Sequence, residues 1–336
     1  MIRRILVISG TALVVLALSS FIAYKLSPWP TAMLIRSYFN KEGGKVNQAL
    51  LKHVPNGISA ILDQSYIDGD KDAKLDVYYP EAIANTSQRL PLVVWIHGGG
   101  WISWSKAQVA NYCKILASKG YAVVAIDYSL APEKHYPIPL NQTNRALEYI
   151  SKNAIRFHAD TTHFILAGDS GGAHIAAQTA NLISSASYAK LIGVKAGINR
   201  NQLSGLLLYC GAYDAERIDL NSGFGVFLKT VLWSYSGEKD FVNAPLFKTA
   251  SVINYITADY PPCFISVGND DPLLTHSEAL AEKLTALKVP LDSLFFKPDY
   301  KPALPHEYQF NLDEAAGKLA LERSVTFLER LTEKKI

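Results

Sequence analysis

The sequence predicts an α/β domain: a mostly parallel sheet covered by helices on both faces. Two features predict it. Runs of strand length at 90–96, 122–126, 203–209 and 263–267 are apolar at nearly every position, as strands buried on both sides require. Helical segments of a dozen or so residues at 107–119, 140–152, 172–184 and 275–287 alternate with them, and parallel neighbours need such crossovers.

Composition narrows the function classes. With 336 residues, 49% hydrophobic and 19% charged, the chain can bury a sizeable core, which excludes extended disorder. Its 33 basic against 30 acidic residues include no densely basic window, so a nucleic-acid partner is not expected. Cys113, Cys210 and Cys263 are too few and too scattered for a disulfide framework. No histidine stands near them at metal-ligand spacing, and all three are expected in the core.

From the amino end, Arg3 and Arg4 precede 20 uncharged residues, 5–24, followed by Lys25. As a helix this run would be about 30 Å long, enough to cross a bilayer. Residues 1–25 therefore read as a membrane anchor or signal segment. A retained anchor is favoured because the apolar run exceeds the roughly 7–15 residues of a signal core; the alternative is cleavage and secretion. Either way the globular part is expected outside the cytosol, in a periplasm or secretory lumen.

Pro28-Trp29-Pro30 interrupts this first helix, and 31–39 can restart one with Thr31 near its cap. Residues 43–72 read as a linker with a short helix, and 26–72 as a whole is assigned as linker and amino-terminal cap region. The strand at 75–80 is stopped by Pro80 and opens a single unit, 73–336. Alternation lapses over 212–258, where Phe224, Phe227, Trp233, Tyr235 and Phe241 suggest helices or loops outside the sheet. A strand at 291–296 and an amphipathic helix at 312–333 close the chain.

Gly168-Asp169-Ser170-Gly171-Gly172 fits G-x-S-x-G, with an apolar strand before it and a helix after it. In that setting Ser170 is a candidate nucleophile; its structural alternative is a helix cap. His97-Gly98-Gly99-Gly100-Trp101 follows another buried strand. Such a turn can aim backbone N–H groups at a developing oxyanion, with the Gly171 N–H as a further donor. A phosphate cradle is not supported, since neither a P-loop lysine nor a dinucleotide fingerprint is present. His306 is the best-placed base, and Asp270 and Asp271 are equally placed to orient it. Both positions lie beyond strand ends, in the order Ser, Asp, His.

Together with Asp127-Tyr128-Ser129-Leu130-Ala131-Pro132-Glu133 and Asp271-Pro272-Leu273, these motifs resemble the hormone-sensitive-lipase-like branch of the α/β-hydrolases. That group includes bacterial esterases and arylacetamide-deacetylase-like enzymes, and the resemblance runs from Lys74 to the carboxyl end. It implies an α/β-hydrolase fold with a small helical cap, drawn from about 31–65 and 212–258. It implies Ser170, Asp271 and His306 as the triad, and Gly99, Gly100 and Gly171 as the oxyanion hole. Trp101 and His97, beside the oxyanion turn, are expected at the substrate pocket. The implied activity is hydrolysis of short- or medium-chain carboxylic esters, acetyl esters included, without metal or cofactor. A serine peptidase or amidase, or a non-catalytic ligand-binding protein, would share the fold. Two positions depart from the family pattern: Glu307-Tyr308 replace the usual Gly-Phe after the histidine, and Ser129 stands where arginine is frequent.

Overall fold

The computed structural model describes residues 24–221 and 223–332, together with Ser9 and Ser19. Except for Ser9, Ser19 and Tyr24, the expected membrane run at 5–24 lies outside the described residues. Among the described residues no helix is long and apolar enough to cross a membrane.

The elements in chain order are α1 (Trp29–Leu50), β1 (Ile58–Ser65), β2 (Lys74–Pro80), β3 (Leu90–Ile96), α2 (Lys106–Ala117), β4 (Ala122–Ile126), α3 (Ile138–Lys152) and β5 (Ala159–Asp169). They continue as α4 (Ser170–Ser184), α5 (Ala186–Ile192), β6 (Leu203–Tyr209), α6 (Gly225–Ser236), β7 (Cys263–Val267), α7 (Leu274–Ala286), β8 (Leu291–Phe295) and α8 (Ala315–Thr332). The sheet order is β1-β2-β4-β3-β5-β6-β7-β8. β1 and β2 pair antiparallel, as do β2 and β4; all other pairings are parallel.

The continuous apolar runs follow from burial on both faces. Val94 and Ile96 of β3, Leu166 of β5 and Leu208 of β6 point into one core with Ala173, Ala176 and Ala180 of α4. Their neighbours Trp95, Ala167 and Tyr209 point into a second core with Val109 and Leu116 of α2 and Phe327 and Leu328 of α8. A strand between two such layers has no polar face to alternate with.

The region 26–72 differs from the expected linker. A single helix, α1, runs straight through Gly43-Gly44, and Pro28 rather than Thr31 precedes it as the N-cap residue. Gly43 is there for close approach: a Cβ would lie 2.6 Å from the Trp104 indole. After it, β1 joins the sheet as its edge strand, and its half-exposed pattern explains why it carries no clear alternation. The insert between β6 and β7 lies outside the sheet as expected, with α6 and short 3₁₀ turns at Phe247–Ala250 and Val252–Tyr255.

Candidate active site

The parallel strands bring their carboxyl ends to one edge, where ligands of open α/β sheets bind. There β3 delivers the glycine turn, β5 delivers Ser170, and the loops after β7 and β8 deliver Asp271 and His306. Ser170 adopts φ +50°, in the left-handed region that non-glycine residues rarely occupy. Glycine on either side makes this sharp turn possible. A Cβ on Gly168 would lie 2.6 Å from the Gly172 carbonyl carbon, and one on Gly172 would lie 2.6 Å from that of His97. The helix-cap alternative for Ser170 does not describe the structure. The N-cap residue of α4 is Asp169, and Ser170 Oγ is bonded elsewhere.

Ser170 Oγ donates to His306 Nε2 at 2.9 Å, and His306 Nδ1 donates to Asp271 Oδ2 at 2.8 Å, in the tautomer this network requires. Asp271 Oδ1 is held in turn by the Leu273 N–H at 2.7 Å. Asp271 is buried while Asp270 is exposed, which separates the two candidates that spacing left equivalent. Burial opposes a charge on His306, but Cys210 and Asp271 act against it, and the net direction is upward. The Cys210 thiol is itself pushed up to about 12 by burial and stays neutral at pH 7. Asp271, bonded to His306 Nδ1, is one of the partners that act in the upward direction.

Cys113, Cys210 and Cys263 are buried and free. Sequence reasoning placed Cys210 in the core without seeing that it stands against the candidate triad. Its sulfur and the ligand atoms of Asp271 and His306 all fall within 4.8 Å of one another. Within this group His306 Nδ1 and Asp271 Oδ2 are already bonded to each other.

Gly99 and Gly100 both have positive φ, +87° and +61°, which folds the chain back after β3. Among the described residues neither N–H is taken by an acceptor, and the Gly171 N–H, in the first turn of α4, has none either. The turn and the start of α4 touch: a Cβ on Gly171 would lie 3.2 Å from the Trp101 nitrogens. Trp101 stacks on Tyr235 of α6, with centroids 4.7 Å apart and an angle of 8°, and meets His174 edge-on. It also borders a cavity of about 20 Å³ lined by His174, Asp214, Leu232, Phe247 and Ala250. Burial pulls the His174 imidazole down to about 4, so it is neutral at pH 7.

His97 departs from its expected place at the pocket. It is buried, its ring lies flat on Tyr128 with centroids 4.3 Å apart, and its Nδ1 meets Gly98 O at 3.0 Å. It supports the glycine turn from within the core.

Arg36 is the clearest residue that sequence reasoning missed. From α1 its guanidinium donates to Ile102 O at 2.5 Å, to Ala131 O at 2.7 Å, and to both Glu133 oxygens at 2.6 Å. It ties the amino-terminal helix to the oxyanion turn and to the Asp127–Glu133 segment. No local motif marks it, because all its partners are distant in sequence. At the departure from the family's arginine, Ser129 donates to Asp72 at 2.9 Å, and its N–H bonds Gln142. Hydrogen bonds thus occupy the place of the ion pair.

The family model BD-FAE matches residues 75–284, more than half of the 336-residue chain. The chain is 28% identical over 266 residues to carboxylesterase NlhH of Mycobacterium tuberculosis, covering 78% of this chain and 80% of that protein. It is 28% identical over 234 residues to the acetyl esterase of Salmonella schwarzengrund, covering 66% of each. The crystal structure of esterase B from Lactobacillus rhamnosis superposes with a TM-score of 0.75 at 23% identity, over 90% of this chain and 96% of that one, a likeness of fold. A family match of this extent, on the fold described, settles the relationship: the chain belongs to the BD-FAE family and is a carboxylesterase-like hydrolase of the hormone-sensitive-lipase-like branch of the α/β-hydrolases.

Proposed function

We propose that the chain hydrolyses short-chain carboxylic esters, acetyl esters foremost, through an acyl-enzyme on Ser170. The observation that carries this reading is the hydrogen-bonded series Ser170–His306–Asp271 beside three backbone N–H groups that have no acceptor among the described residues. His306 Nε2 takes the Ser170 proton as Oγ attacks the ester carbonyl. The oxyanion of the tetrahedral intermediate is held by the N–H groups of Gly99, Gly100 and Gly171, where one such donor is typically worth about 3–4 kcal/mol. Asp271 stabilises the imidazolium, which then gives its proton to the departing alkoxide as the C–O bond breaks. Water, deprotonated by His306, repeats the attack and releases the acid.

Support for a short acyl group comes from the similarity to a relative named an acetyl esterase. In a series of p-nitrophenyl esters, kcat/KM is expected to be greatest for acetate or butyrate and to fall at least about tenfold by the decanoate, one to two methylenes' worth of lost fit. p-Nitroanilides of the same acids are expected to react far more slowly. Absence of ester turnover would favour the ligand-binding alternative, and preferential anilide cleavage would favour the amidase.

We further propose that residues 5–24 anchor the chain in a membrane, with the hydrolase outside the cytosol. Support comes from the uncharged run itself and from the exposed Leu26, Trp29 and Leu34 that follow it. After alkaline carbonate extraction the full chain is expected in the membrane pellet, and a chain beginning at Lys25 in the supernatant. Full-length protein in the supernatant would overturn the anchor.

A further inference from the structure

The mechanism just described leaves two carboxyl groups unused. Asp169 is fully buried, and its Oδ1 accepts from the Trp95 indole N–H at 2.8 Å. Its Oδ2 has no hydrogen-bond donor among the described residues. That oxygen and Glu307 Oε1 converge on Gly98: the place of a side chain there is already filled by Asp169 Oδ2, with Glu307 Oε1 at 3.1 Å. Glu307 Oε1 also lies 3.8 Å from His306 Nε2. The Glu307 backbone is left-handed, φ +60° and ψ +29°, at a position where the resembled family carries glycine. A non-glycine residue in that region is held there by its surroundings.

Two carboxyls meeting where one is fully buried and the other largely shielded from water cannot both be ionised without large cost, so one of them keeps a proton. Asp169 is the deeper of the two. Burial, followed by the Glu307 charge, drives it well above the usual carboxylate range. Burial raises Glu307 as well, but the neighbouring His306 and the hydrogen bond with Asp169 act the other way.

We propose that Asp169 and Glu307 share a single proton, held on Asp169 Oδ2 and donated to Glu307 Oε1, so that Glu307 stands as a carboxylate that positions His306 and favours its protonated form. This rests on the Ser170–His306–Asp271 reading. The histidine then has a carboxylate on each side: Asp271 at Nδ1 and Glu307 near Nε2. Other titratable groups face the pair. Cys210 stands against His306, and Tyr128 and Cys113 beside Asp169 are kept neutral by burial. Along the outer cleft beyond Glu307, His53 and Lys52 are occupied with Asp313. None of these supplies a second negative charge at Nε2.

A base works in its neutral form, and a nearby carboxylate raises the pH at which that form appears. Glu307→Gln is therefore expected to move the acid limb of the kcat/KM profile for p-nitrophenyl acetate to lower pH, by about one unit. Asp169→Asn, whose amide donates as the protonated carboxyl does, is expected to leave that limb in place. An unmoved limb in Glu307→Gln, or an equal displacement in Asp169→Asn, overturns the proposal. If Glu307→Gln does not fold, Glu307→Gly, unstrained at this φ, takes its place with the same expected displacement. Ser170→Ala is measured alongside: turnover retained there refutes the triad itself, a failure distinct from an unmoved limb.

Discussion

Ser170→Ala is expected to lower kcat for p-nitrophenyl acetate by about 10⁶-fold while leaving KM within a few-fold. Oγ is the only atom of the residue in the proposed reaction, and its loss removes the acyl-enzyme altogether. The oxyanion N–H groups and His306 remain, so a slow attack by water survives as residual activity. The fold should tolerate the change, because alanine keeps the backbone that the flanking glycines already permit. A thermal transition near that of the parent, with turnover lost, is the expected pair of results. Turnover within tenfold of the parent would move the nucleophile elsewhere.

Gly172→Ala is expected to act on the fold itself. The added methyl would fall against the Ile96 carbonyl oxygen at the end of β3, which two neighbouring strands hold in register, and 2.6 Å from the His97 carbonyl carbon. Overpacking of this kind typically costs about 1–3 kcal/mol, and a rigid backbone neighbour places it at the upper end. For a domain of this size that is a fall of about 6–12 °C in Tm. The same displacement lifts Ser170 away from His306, so kcat falls with Tm. Gly44→Ala is the informative control. It sits in α1 with nothing within 4 Å of its would-be Cβ, so it is expected to stabilise by about 0.5–1 kcal/mol. If Gly172→Ala melts with the parent, close approach is not why glycine stands there.

What could be read in advance was chemistry written locally. The G-x-S-x-G turn sits between a recognisable strand and helix, and β3, β4, β6 and β7 announce themselves by runs apolar at nearly every position. The bond between Ser170 and His306, 136 residues apart, followed from sheet order once both were placed beyond strand ends. Features that depend on distant partners were not legible. Gly43-Gly44 in α1 looked like a break because the indole that Gly43 accommodates lies about sixty residues onward, at Trp104. Trp101 could be placed beside the oxyanion turn, but not its stacking on Tyr235 of the insert. His97 was expected at the pocket because it begins the glycine motif; its side chain points inward, onto Tyr128. Glu307 was visible as a departure, yet its partner Asp169 lay hidden inside the serine motif.

Arg36 gives the amino-terminal helix a part in the chemistry it never touches. α1 begins at Trp29 and grips the oxyanion turn two helical turns later, so the brace depends on the start of that helix. A cut between Lys25 and Pro28 would leave α1 and its Arg36 clamp on the domain, whereas a cut just beyond Arg36 would remove the clamp. The contact that braces the oxyanion turn thus hangs on the first two turns of one helix, and losing those turns would unseat the turn without touching any residue of the proposed reaction.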